Sequence, residues 1–218
     1  LGILPWNAPL WMAYRFLATA LMTRNTCAMK HDSHVPASAR GIMAAFEAAD
    51  APENIVVNLA VRSPKVAAVI EDPRIVAVSL TGSSTAGRKV AAAAAAQLKP
   101  AVLELGGSDP CVVLADADLE AAAEVAVRSR IINAGQSCIA AKRIVVEDAI
   151  YDGFIGRLLA RLQALELGDP LLPETEVGPL ARDDLRQHLH RQVTETIAAG
   201  ARCLLGGELP AGPGFFYP

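Results

Sequence analysis

The sequence predicts an α/β architecture built from βαβ units, and three features lead to it. In the first hundred residues, short apolar runs alternate with helical stretches, and the junctions carry Gly, Pro, Asn and Asp. The β-branched run Ile75 to Leu80 leads straight into Thr81-Gly82-Ser83 and then into a helix, as a strand-to-helix turn does. Finally, 52% of the 218 residues are hydrophobic and 20% charged, which is ample for a core and excludes disorder as the main state.

The elements follow in chain order. Gly2 to Leu4 reads as the tail of a strand, and Pro9 to Met22 as an amphipathic helix with proline in its first turn and Asn25 near its stop. Thr26 to Met29 is a short buried strand, Pro36 to Ala49 a helix and Ile55 to Leu59 a strand. Ser63 is the expected cap, and Pro64 the first position, of a short helix ending at Ile70. After the strand at Ile75 to Leu80, the alanine-rich stretch Ser84 to Leu98 reads as a helix packed closely on a sheet, and Ala101 to Leu105 as the next strand. A domain boundary is expected at Gly106-Gly107. Beyond it come a strand at Cys111 to Leu114, an Asp-capped helix at Leu119 to Ile131, an irregular Asn133 to Ser137 and a strand at Ile144 to Val146. Helices near Ala149 to Leu165 and Ala181 to Ala199 and a strand at Arg202 to Leu205 complete the pattern. No repeat of roughly 20–50 residues recurs, so solenoids and propellers are excluded.

Composition narrows the function classes. A net charge of −3 offers no basic face to a phosphate backbone, so no nucleic acid partner is expected. Arg15, Arg24, Lys30 and His31 interrupt the most apolar stretch, so no membrane span is expected either. Cys27, Cys111, Cys138 and Cys203 are too widely spaced for a CxxC pair or a disulfide framework, and no signal-peptide pattern precedes them. The expectation is a reducing, cytoplasmic compartment. The chain opens at Leu1 inside an apolar run and closes at Tyr217-Pro218 after an aromatic cluster, so both ends are expected to be cut.

Three places carry candidate chemistry. The turn Thr81-Gly82-Ser83 presents backbone N–H groups at the positive end of a helix, where phosphate binds. Arg88, Lys89 and Val90 after Gly87 do not make a Walker A loop, and no G-x-G is present, so the turn taken alone is more often an ordinary capped helix start. Cys138 follows the polar bend Asn133-Ala134-Gly135-Gln136-Ser137, with Lys142 and Arg143 close by, and nearby positive charge favours a thiolate. Cys27, Cys111 and Cys203, among apolar residues, read as small buried hydrophobes. A thiolate nucleophile needs a base. His188 and His190 sit two apart on a charged helix, His31 and His34 flank a strand end, and no pair has metal-ligand spacing, so no metal is expected. The remaining candidate is Glu104, in the apolar run Ala101 to Leu105. Burial there would raise its pKa toward the range useful for a general base.

At these residues the sequence resembles the aldehyde dehydrogenase superfamily. Pro5-Trp6-Asn7-Ala8-Pro9 is similar to its PWN motif, Met29-Lys30 to its lysine turn and Thr81-Gly82-Ser83 to its phosphate turn. Glu104-Leu105-Gly106-Gly107 is similar to its ELGG motif, and Asn133 to Cys138 to its nucleophile motif; Gly168-Asp169-Pro170 and Gly178-Pro179-Leu180 extend the match. The resemblance implies an aldehyde dehydrogenase-like fold. Residues 1–106 would be part of a variant Rossmann NAD(P)-binding domain and 107–218 part of the catalytic domain, both incomplete at the chain ends. Members of the family are more than twice as long, so the chain is expected to be a central piece of one.

The resemblance also implies roles. Cys138 would attack the aldehyde, the Asn7 amide and the Cys138 N–H would hold the oxyanion, and Glu104 would activate water to hydrolyse the thioester. Gly82 and Ser83 would meet the cofactor pyrophosphate, with Trp6, Asn7 and Leu105 beside it. Lys30, with Ser33 where NAD-preferring relatives often carry Glu, implies NADP or NAD as cofactor. Within the family, the runs at 6–11, 103–110 and 140–143 are most similar to bacterial succinate semialdehyde dehydrogenases. Arg15 falls where that activity class places a carboxylate-anchoring arginine, while a second such arginine is Ile132 here. The expected substrate is a small aldehyde, succinate semialdehyde oxidised to succinate, and the expected assembly a homo-oligomer. The alternatives are a broad-specificity or CoA-acylating aldehyde dehydrogenase, the latter opposed by Glu104, or a non-catalytic structural member.

Overall fold

Five parallel strands organise the first of two units in the computed structural model, which describes residues 1–218. That unit is Leu1–Gly106 and the second is Gly107–Pro218. The first contains β1 (Gly2–Ile3), α1 (Pro9–Met22), β2 (Cys27–Lys30), α2 (Pro36–Ala48) and β3 (Val56–Asn58). A 3₁₀ turn at Ser63–Lys65 then runs into α3 (Val66–Glu71), followed by β4 (Val78–Thr81), α4 (Ser84–Ala96) and β5 (Ala101–Glu104). Ser63 starts the 3₁₀ turn and does not cap a helix with its side chain, because the local proline tightens the first turn to 3₁₀ geometry.

The strand order β3-β2-β1-β4-β5 grows outward from β1 in both directions, with every pairing parallel. Reversal of direction at β1/β4 leaves a crevice beyond the carboxyl ends of these two strands, the place where open α/β sheets bind ligands. β1 has only two residues but pairs on both sides, and the Leu4 N–H donates to the Lys30 carbonyl at 3.0 Å to extend it. Successive residues of a strand face opposite sides of a sheet. Leu4 accordingly joins Leu17, Met29, Ile42 and Val56 in one core cluster, and Ile3 joins Ile70, Val78, Leu80 and Val90 in another. At 4% exposure or less, Leu17, Ile42 and Leu80 each contribute about 1.5–3 kcal/mol of burial.

The second unit contains β6 (Pro110–Val113), α5 (Leu119–Ile131), β7 (Arg143–Val146), a 3₁₀ turn at Asp148–Ile150, α6 (Tyr151–Gln163) and α7 (Asp183–Ala198). β6 and β7 pair in parallel, and the Asp118 carboxylate caps α5 by accepting from the N–H groups of Glu120 and Ala121. Fully buried Phe154 fills the space between Val113, Ala123 and Ala126.

The strand expected at Arg202–Leu205 is not formed. A strand exists through ladder bonds to a neighbour, and neither sheet offers one here. The segment turns back instead, through Gly206 and Gly207 at φ of 62° and 86°, and the Cys203 thiol donates to the carbonyls of Leu205 and Gly206 at 3.4 Å. Cys203 is therefore exposed, against the buried expectation, while Cys27 is buried as expected. No helix is long and apolar enough to cross a membrane.

Candidate active site

The β1/β4 crevice collects most of the residues singled out in the first unit. The chain leaves β1 through the bend at Trp6, Asn7 and Ala8, all half-buried, and enters α1 at Pro9. His31 ties this bend to the end of β2. Its Nδ1 accepts from the Asp32 N–H at 2.9 Å, so Nε2 carries the proton and donates to the Pro9 carbonyl at 3.0 Å. Lys30 is only 8% exposed, and Ser33 lies exposed on the next turn. Burial pushes the Asp32 carboxyl up, but the His34 N–H and ring and the Lys30 charge outweigh it and hold it below the usual carboxylate range.

Across the crevice, Ser83 caps α4: its Oγ accepts from the Ala86 N–H at 3.2 Å, and its carbonyl from Gly87. A Cβ on Gly82 would meet no atom closer than 3.9 Å, so the space above this turn is open. A Cβ on Gly87 would come within 2.6 Å of Leu105, so this glycine lets Leu105 pack against the first turn of α4. An open turn at a helix N-terminus, with a lysine inside the same unit, fits the pyrophosphate of a dinucleotide.

Glu104 is not buried. All four residues of β5, the edge strand of its sheet, are exposed, against the burial expected for Glu104. Alternation places Ser79, Thr81, Val102 and Glu104 on the face toward α1, where with Arg15 and Phe16 they line a cavity of about 520 Å³. There Arg15 Nη2 donates to Glu104 Oε1 at 3.0 Å, with the side chains 53% and 50% exposed. Sequence spacing of 89 residues concealed this pair.

In the second unit, Cys138 is exposed in a loop of unusual backbone. Asn133, Ala134 and Gly135 follow α5 with φ of 53°, 51° and 74°, a left-handed run that costs energy at the two non-glycine positions. Arg130 offsets this by donating to the carbonyls of Gly135 and Ala141 at 3.0 and 3.1 Å. The guanidinium presses against Gly135 where a Cβ would stand, and burial pushes its pKa down. Arg130 is thus committed to the loop and does not replace the arginine absent at Ile132. Gln136 Oε1 accepts from the Ala181 N–H at 2.9 Å, joining the loop to the Gly178-Pro179-Leu180 segment. Lys142 folds back to donate to the carbonyls of Ser137, Cys138 and Ala140 at 2.9, 2.9 and 3.2 Å. Arg143, the other nearby charge, turns away to the Ser108 carbonyl. Arg130 and Gln136 were missed as site residues, since nothing in the sequence distinguishes a loop-supporting side chain from a solvated one. His190 is engaged with Tyr217 and His188 with Gln192.

Known proteins resemble this chain in sequence and in fold. The sequence is 47% identical over all 218 residues to a succinate-semialdehyde dehydrogenase [NADP(+)] of Mycolicibacterium paratuberculosis, of which it spans 46%. Lactaldehyde dehydrogenase from Escherichia coli superposes with a TM-score of 0.96 at 36% identity, over 100% of this chain and 46% of that one. Succinic semialdehyde dehydrogenase from Streptococcus pyogenes, solved in complex with NADP+, gives 0.95 at 35% identity, over 99% and 47%. The chain spans about half the length of the curated relatives it matches. Residues 1–218 match the aldehyde dehydrogenase family throughout, and the chain belongs to that family.

Proposed function

We propose that the full-length protein is an NADP- or NAD-dependent aldehyde dehydrogenase that oxidises succinate semialdehyde to succinate. The observation that carries the substrate is Arg15, whose guanidinium already holds a carboxylate, that of Glu104, at the wall of a cavity. A semialdehyde acid presents the same group to it. The succinate-semialdehyde relative at 47% identity supports the same reading.

In this reading the Cys138 thiolate adds to the aldehyde carbon, forming the S–C bond of a thiohemiacetal. The Asn7 amide and the Cys138 N–H donate to its oxyanion. NAD(P)+, held by Lys30, Ser33, Gly82, Ser83, Trp6 and Leu105, supplies when bound the hydride acceptor that leaves a thioester on Cys138. Glu104 then takes a proton from water as the oxygen adds to the thioester carbon, and the C–S bond breaks to release acid and thiolate. Lys30 and Ser33 support NADP, since a 2′-phosphate held there would have a cation and no glutamate nearby in sequence. Four unpaired cysteines support a cytoplasmic location, and the family resemblance a homo-oligomer.

The test is a substrate panel on the full-length enzyme, following NADPH and NADH formation. Succinate semialdehyde is expected to exceed an uncharged aldehyde of the same length by tenfold or more in kcat/KM, about the value of one charged hydrogen bond. Equal values favour the second reading, a broad aliphatic aldehyde dehydrogenase, which the similarity to lactaldehyde dehydrogenase supports.

A further inference from the structure

We propose that Lys142 is a positioning residue for the nucleophile, its ammonium acting as a built-in cation that gathers three carbonyls of the Cys138 loop. This rests on Cys138 being the nucleophile. Residues 137, 138 and 140 turn their carbonyls toward one point, and backbone dipoles so aligned repel each other unless a positive charge sits among them. Lys142 Nζ occupies that point with N···O distances of 2.9, 2.9 and 3.2 Å, so its three protons match three acceptors.

Arg130, the second cation bonded to carbonyls of the loop, acts to either side of Cys138. Arg130 fixes Gly135 and Ala141, and the Ser129 hydroxyl accepts from the Ala141 N–H at 3.2 Å. Between those anchors, the turn itself has the Ala140 N–H donating to Ser137 at 3.3 Å and the Ile139 N–H reaching Ser137 Oγ at 3.4 Å, both long. Ile139 is 73% exposed and anchors nothing. Gly107 completes the setting: a Cβ there would lie 3.4 Å from the Cys138 carbonyl, which is thereby confined between Gly107 and Lys142. Confinement of that carbonyl fixes the peptide plane of Cys138, and with it the direction of the Cα–Cβ bond that carries the thiol. The lysine thus acts on the orientation of Sγ through the backbone and does not touch the substrate.

The experiment compares Lys142→Met and Lys142→Arg in the full-length enzyme. It reads kcat and KM, the rate of iodoacetamide alkylation at Cys138 located by peptide mass, and the thermal midpoint. Methionine keeps the stem and loses the charge, and kcat and Cys138 alkylation should both fall about tenfold, with the aldehyde KM within twofold, as for a misplaced reacting group. Arginine keeps charge and donors and should restore both rates to within about threefold of the parent. The proposal is overturned if Lys142→Met keeps both rates within twofold. It is equally overturned if arginine fails to rescue, or if both variants lose thermal stability in proportion to activity. A Cys138→Ala control separates the two claims: turnover retained there removes the nucleophile assignment itself.

Discussion

Cys138 stands in a loop whose carbonyls are turned onto two cationic side chains, whereas Glu104 ends an exposed edge strand with one exposed arginine for a partner. The loop adopts a strained left-handed run and holds it with charge-assisted bonds from Arg130, partly buried. The strand is regular, and its ion pair with Arg15 is of the surface kind, worth about 0–1 kcal/mol. The contrast suits the proposed reaction. A nucleophile must meet a carbon from one direction, so rigidity serves it. A base that activates water only in the second step is under no such demand in the first, so a weak tether suffices.

The comparison can be broken or sharpened by substitution in the full-length enzyme, and the largest effect belongs to the loop. Cys138→Ala should lower turnover by about 10⁴-fold or more, measured as NADPH formation. At the strand, Glu104→Gln should keep a stoichiometric first burst of NADPH while the steady rate falls by about 10²-fold or more. Loss of the burst with cofactor still bound would assign Glu104 to the first step. Gly135→Ala asks for a Cβ at φ of 74° where the Arg130 guanidinium lies, and should destabilise by about 2–3 kcal/mol in urea unfolding. By contrast, Arg15→Ala should change stability by less than about 1 kcal/mol. It should nevertheless raise the KM for succinate semialdehyde by about tenfold, leaving that of an uncharged aldehyde unchanged.

The smallest effect concerns acid. The Asp32 carboxyl is held below its ordinary value of about 3.9, so its contribution to stability is full above about pH 4. It is lost as pH falls from there through the lower folded value. Asp32→Asn should flatten the stability curve below about pH 4, as read by thermal melts from pH 5 to 2. An unchanged slope would remove Asp32 from the acid response.

Legibility in the sequence followed the range of the interactions involved. α1 and α5 fall at their expected bounds, because Pro9 at a first position and Asp118 at a cap are local signals. The exposure of Cys138 was legible from the polar bend before it. The Arg202–Leu205 run carried a local strand pattern, but strand formation is a property of a pair and this segment has no partner. Glu104 misled for the same reason: an apolar run says that neighbours are expected, and β5 is an edge strand whose residues stay exposed.

By itself, the sequence determined the order of strands and helices up to α7, the turns that carry Gly82 and Asn7, and which thiol and carboxyl are the candidates. These depend on side-chain periodicity, capping and turn chemistry within a few residues. Only the tertiary structure decided that β1 and β4 are neighbours, which opens the crevice between Trp6-Asn7 and Gly82-Ser83. It also decided that Arg15 meets Glu104 across 89 residues, and that Lys142 turns back onto Cys138 while Arg143 turns away. The physical reason is that charged side chains carry no preference for one acceptor until the folded backbone brings carbonyls or a carboxylate within about 3 Å.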